Sequence, residues 1–162
     1  MSEIVIVGAR GRYGSPAHLL SRLQSVKDGQ VLALDADLVC GREHLEAAAE
    51  HALRSFQRGT NSANSITMET MLFASGERQI SRAQEKMSLK EGGEKVALVL
   101  FDARPDEVLL VSGLEMDQEV LDCDEAKLRR FGITAKELQA VPQERARDLV
   151  LERVAFVEIL KR

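Results

Sequence analysis

Tryptophan is absent, tyrosine occurs once and phenylalanine five times, so aromatic residues make up 4% of the 162 residues. The core must therefore be filled by Leu, Val, Ile and Ala, and few rings are left for stacking on nucleic-acid bases. An excess of basic charge is also missing. The 22 Lys and Arg face 26 Asp and Glu, for a net charge of -4. That balance excludes a protein that coats nucleic acid non-specifically, which needs a basic surface to displace counterions. A small local basic patch stays open. No apolar run reaches the length of a membrane span, and Met1-Ser2-Glu3-Ile4 lacks the basic and apolar regions of a signal peptide. Two cysteines, Cys40 and Cys123, are too few for a disulfide scaffold and read as reduced thiols of a cytoplasmic protein. G-x-S-x-G, Walker and H-E-x-x-H patterns are missing, so no enzyme machinery and no cofactor is expected. The chain also lacks repeats, low-complexity tracts and long linkers, which leaves one domain over residues 1–162.

What is present is an alternation of short apolar strands and amphipathic helices. Ile4-Val5-Ile6-Val7 reads as a strand ending at Gly8, and Val31 to Leu34 as a second that Asp37 to Cys40 extends or leaves. The near-continuous run Lys95 to Phe101 predicts a central strand covered on both faces. Ser15-Pro16 looks like an N-cap and first helical position. Gly41 to Arg58 is the strongest helix, with Leu45, Ala48, Ala49, Ala52, Leu53 and Phe56 at the helical period and Gly59 placed to end it. Ile66 to Ala74 and about Glu77 to Leu89 predict two more, divided by Ser75-Gly76. Val108 to Val111 fits either a strand or a helix, and Ala155 to Leu160 either a continued helix or a final strand. The pattern predicts an α/β (α+β) domain.

Three features carry candidate chemistry. Gly8-Ala9-Arg10-Gly11-Arg12-Tyr13-Gly14 follows a strand, as a dinucleotide loop would, but its spacing is G-x-x-G-x-x-G and Pro16 sits where that motif continues its helix. A plain glycine-rich turn is the favoured reading, with Arg10 and Arg12 available to a phosphate. Cys40, His44 and His51 share a helical region, yet no further ligands converge, so no metal is expected and the histidines read as boundary residues. Arg78, Arg82, Lys86 and Lys90 recur every four residues along one helix, just after Ser75-Gly76. Such a row is either a solvated face or a phosphate-contacting surface helped by free amides at a helix N-terminus.

Asp35-Ala36-Asp37-Leu38-Val39 with Gly41-Arg42-Glu43-His44-Leu45, then Asn64-Ser65, Glu69, the segment Ala74-Ser75-Gly76-Glu77-Arg78-Gln79-Ile80-Ser81-Arg82-Ala83 and the ending Leu151 to Leu160 follow one another in a known order. Together they resemble the small kinase-binding subunit of the KEOPS complex, the PRPK-binding protein family, in its compact archaeal form. The likeness is sharpest over Ser75–Ala83 and weakest over Asp102–Asp122. It implies a compact domain with helices around a mostly antiparallel sheet and the last apolar segment as a strand. It also implies a non-catalytic subunit of the complex that installs threonylcarbamoyl on tRNA adenosine. Such a subunit docks on the atypical kinase/ATPase subunit, meets the other KEOPS subunits indirectly and captures the single-stranded 3′ CCA end of tRNA. By motif position, the tRNA end falls to Asn64, Ser65, Ser75, Gly76, Arg78, Gln79 and Arg82. Base packing would use Phe73 or Tyr13 or, better supported by composition, Met and Ile. Kinase docking falls to Met68, Met71, Leu149 and Val157. The competing expectations are a nucleotide-binding domain built on the Gly8–Gly14 turn and a kinase regulator without RNA contact.

Overall fold

The two cysteines are bonded to each other. In the computed structural model, which describes residues 2–161, Cys40 and Cys123 form a disulfide across 83 positions of sequence, with their Cα atoms 4.1 Å apart. The reduced-thiol expectation is thereby corrected. Nothing in the spacing of two cysteines signals such a bond; it follows from the tertiary path. The segments that carry them lie side by side. Gly41 N–H donates to Leu121 O at 2.7 Å, and the buried Lys127 ammonium donates to Val39 O and Val120 O at 3.0 and 2.6 Å.

Four strands form an antiparallel sheet in the order β2-β3-β1-β4: β1 (Ile4–Arg10), β2 (Gln30–Asp35), β3 (Lys95–Phe101) and β4 (Glu115–Met116). Ile6 lies opposite Val99, and Leu32 lies opposite Val99 on its other side. Because strand side chains alternate between faces, each strand supplies two cores. Ile6, Leu32, Leu34, Ala97, Val99 and Phe101 face the larger one. There they meet α2 (Arg42–Arg58), α3 (Ile66–Ser75), α4 (Ile80–Met87), α6 (Glu125–Phe131) and α8 (Arg147–Leu160). Val7, Ala9, Ala33, Val96, Leu98 and Leu100 face the smaller one, under α1 (Pro16–Leu23) and α5 (Pro105–Ser112). A short helix α7 (Ala135–Gln139) completes the set. The architecture is a single α+β domain with a sheet covered on both faces. β3 is apolar from Val96 to Phe101 for that reason.

Local signals place the boundaries. Ser15 caps α1 by accepting from His18 N–H, with Pro16 at the first position. Gly59 ends α2 in the left-handed region. Val108 to Val111 is helical, within α5, because Pro105 opens that segment as a first-turn residue. Asp37 does not extend β2, since Ala36–Leu38 turn as a 3-10 helix under an Asp35 side-chain cap. The last apolar segment corrects the family-based expectation of a strand. Ala155 to Leu160 continue α8, whose Val150, Val154 and Val157 are buried at helical spacing.

A disulfide that closes a ring of this size removes loop entropy worth about 4 kcal/mol from the unfolded chain. Cys40→Ser or full reduction is expected to lower the unfolding midpoint by roughly 10 °C. Thermal scans with and without reductant check this, and the double Cys→Ser variant should be insensitive to reductant.

Candidate functional site

The sequence-derived site residues gather around α3 and the turn that follows it, and the structure divides them between the two ends of that helix. At the start, Ser65 is the N-cap and its hydroxyl accepts from Met68 N–H at 3.2 Å. Asn64 beside it is exposed. At the other end, Gly76 takes a positive φ of 73°, closes α3 and donates to Phe73 O. The helix's ten residues separate these ends by about 15 Å. Asn64 and Ser65 therefore do not share one pocket with the later residues.

Ser75 is fully buried. Its hydroxyl donates to Leu72 O at 2.7 Å and accepts from Glu77 N–H at 3.0 Å. It shapes the turn from inside and does not reach the surface. The next helix also begins later than the pattern predicted: Gln79 is its N-cap and Ile80 its first residue. The amides after Gly76 thus belong to a connecting turn and not to a helix N-terminus. Gln79 makes no side-chain capping bond.

Gly76, Glu77, Arg78, Gln79 and Arg82 line one concavity of about 340 Å³, closed on one side by Leu160 from α8. Arg78, Gln79 and Arg82 are exposed. Two guanidiniums that outnumber the single Glu77 carboxylate, one carboxamide and an apolar wall suit a small group that carries both phosphate and a base or other flat surface. Sequence reasoning missed Leu160 and Glu77. Leu160 enters because α8 stays helical to its end, which a strand reading conceals.

The basic row is broken in space. Lys86 turns inward, donates to Ser75 O at 2.7 Å and lies 3.7 Å from the centre of the Phe131 ring. Burial, with some help from Arg153, pushes its ammonium down to about 8, while Glu77 opposes the shift. Lys90 folds back onto Glu85 O and Ser88 O. The exposed cations at this turn are Arg78 and Arg82.

Beneath the turn, His44 is fully buried, which corrects the boundary reading. Its Nδ1 accepts from Cys40 N–H at 3.0 Å, and Nε2–H donates to Ala74 O at 2.7 Å. Both ring nitrogens are committed and Cys40 is oxidised, so neither can ligate a metal here. Among the described residues no group of three or more His, Cys, Asp or Glu is placed to hold one. Phe73 and Tyr13, the rings expected to stack on bases, are both buried, and the Tyr13 hydroxyl donates to Lys90 O.

The Gly8–Gly14 segment is also not a phosphate cradle. Gly8 lies inside β1, and its N–H donates to the Gln118 side chain. A Cβ on Gly8 would collide with Asp117 O, so this glycine is there for close packing.

The residues expected to meet a kinase divide likewise. Met71 and Val157 are buried, and Met68 and Leu149 are half-buried against the larger core. Core packing claims them. What α8 leaves in solvent is Phe156, Ile159 and Leu160, exposed by 51%, 60% and 36%. Their i, i+3, i+4 spacing puts them on one face.

Burial and the surrounding Lys86 and Lys127 charges push the His44 imidazole down to about 4, although its bond to Ala74 O favours the charged form. The unfolded chain, with an ordinary histidine near 6.5, binds a proton first as the pH falls. The stability that this neutral imidazole contributes is present above pH 6.5 and is lost toward pH 4, by about 3 kcal/mol in total. Urea unfolding at pH 7 and pH 4.5 should show a smaller acid loss in His44→Gln, itself less stable at pH 7, than in the wild-type chain.

Among curated proteins, none matches the chain. The family model described as Kinase binding protein CGI-121 matches residues 15–157. That span runs from the cap of α1 into the last turns of α8 and holds the whole turn just described. The chain therefore belongs to the CGI-121 family of kinase-binding proteins, the small-subunit family of KEOPS.

Proposed function

We propose that this chain is the non-catalytic KEOPS subunit that docks the atypical kinase/ATPase and recruits tRNA by its single-stranded 3′ CCA end in the cytoplasm. The observation that carries the tRNA part is the concavity of Gly76, Arg78, Gln79, Arg82 and Leu160. Arg78 and Arg82 meet phosphates, the Gln79 carboxamide meets a base edge, and Leu160 gives a base an apolar surface, since no aromatic ring lines the concavity. Such a site captures a few nucleotides and leaves the rest of an acidic protein repelled by the nucleic acid, as a net charge of -4 requires.

The kinase part rests on the α8 face. Membership of a kinase-binding family calls for an apolar surface, and Phe156, Ile159 and Leu160 supply one at helical spacing. Leu160 touches both surfaces, so kinase and tRNA end are held next to each other. Asn64 and Ser65 keep a secondary place: Asn64 is exposed near the start of α3, within reach of the tRNA acceptor stem and not of its last bases.

Binding of the full chain to tRNA with its CCA end is expected to exceed binding to the same tRNA trimmed of CCA. Arg78→Ala and Arg82→Ala should each weaken it and lower its salt dependence by about one counterion. Gln79→Ala should weaken it without changing the salt slope. Equal binding to both tRNAs removes the CCA reading. Ile159→Asp should abolish kinase co-purification and keep the unfolding midpoint, since that side chain is in solvent; retained co-purification places the kinase elsewhere.

A further inference from the structure

Strand β2 is an edge of the sheet, and half of its main chain has no partner. The pairing pattern fixes which half. Asp102 N–H donates to Glu3 O, so the even-numbered residues of β3 turn their main-chain groups toward β1, and Ala97, Val99 and Phe101 turn theirs toward β2. With Leu32 opposite Val99, the groups of Gln30, Leu32 and Leu34 go to β3, and those of Val31 and Ala33 point out of the sheet. Among the described residues no hydrogen bond reaches these outward groups.

They open into a trough of about 530 Å³. Leu20 and Leu23 of α1 with Leu89 form the wall on one side of the sheet plane, and Met68 and Met71 of α3 form the wall on the other. The polar residues lining it are uncharged, Gln24 and Gln84 among them, and no ionisable side chain lines it. Leu20 is 44% exposed on its rim. None of these residues belongs to the Gly76–Arg82 concavity or to the exposed face of α8.

We propose that β2 is a docking edge for an uncharged, extended segment of a partner protein, which adds as a fifth strand beside Val31–Ala33. The unpaired N–H and C=O groups of Val31 and Ala33, two residues apart, match the repeat of a strand and of no helix. The lack of charge in the walls excludes a segment rich in Lys, Arg, Asp or Glu, whose burial there would go uncompensated. The two walls also decide against a second copy of this chain. Strands pair at about 4.8 Å, and helices overhanging β2 on both faces keep two such edges apart, whereas a single peptide strand slides between them. This inference stands apart from the tRNA and kinase proposals and survives the failure of either.

The test pans a random twelve-residue peptide library on the full chain and follows the enriched peptides by amide exchange. The expected result is enrichment of uncharged sequences with alternate apolar residues, which slow exchange at Val31 and Ala33. Two variants should each cost at least tenfold in affinity with the unfolding midpoint retained. Leu20→Glu charges the rim. Val31→Pro deletes one outward donor at an edge position that tolerates proline. Three results overturn the proposal: no enrichment, peptides that bind both variants undiminished, or protection of Val31 and Ala33 that appears with protein concentration alone and marks self-association through this edge.

Discussion

A carboxylate with no access to water organises the helical layer. Glu69 is fully buried, accepts from the Ser62 and Ala63 amides at 3.0 and 2.9 Å and pairs with Lys161 at 2.6 Å. Lys161 in turn donates to Ser55 Oγ and Thr60 O and stands over the Phe73 ring. Burying two charges is costly unless each lone pair and proton is used, and here the end of α2, the loop after it, the middle of α3 and the end of α8 all contribute partners. The polar loop at 60–65 is ordered from within by this pair, and the last turn of α8 is pinned beside α2 and α3. The exposed apolar face of α8 and the wall that Leu160 offers the concavity both depend on that pinning.

Electrostatics in the rest of the molecule follows the same division between what is buried and what is offered. Cations inside the domain are bound to carbonyls: Lys86 to Ser75, and Lys127 to Val39 and Val120. Arg153 is held by both oxygens of Glu137, at 2.8 and 2.7 Å. Such pairing keeps them from acting as ligands for anything outside. Arg78 and Arg82 stand out because the turn between α3 and α4 leaves them in solvent beside an apolar wall. A protein with a net negative charge thereby keeps a small positive locus without becoming a general polyanion binder.

Helices α1, α2 and α3 and the central strand were legible in the sequence for local reasons. Their caps and periodicity lie within a dozen residues, as with Ser15-Pro16 at α1 and the apolar run of β3. Whatever depended on distant partners was not legible. Cys40 and Cys123 become neighbours only through the packing of the Gln118–Leu121 turn beside β1. Phe73 is apolar and aromatic, and nothing in its neighbours tells a stacking ring from the ring beneath Lys161. Residues 155–160 satisfy strand and helix patterns equally, and the choice rests with Val154 and Val157, which the core of α2 and α3 claims. For the candidate site, motif position found four of the residues that meet in space, Gly76, Arg78, Gln79 and Arg82. It grouped Asn64 and Ser65 with them because the resemblance orders residues along the chain, whereas α3 holds those two a helix length away.

The order of strands in the sheet has a kinetic consequence. β1 and β2 both pair only with strands made later, so neither finds a sheet partner until Lys95–Phe101 has been synthesised. At about 5–20 residues per second, the apolar Ile4–Val7 segment waits roughly 5–20 s on the ribosome without a ladder to join. Through that interval only local helices such as α2 are available to shelter it. The sheet must then assemble in one late event, around a strand that arrives with nearly two-thirds of the chain already made. Such long-range closure is slow, and it exposes the nascent chain to capture by other strands or by a chaperone.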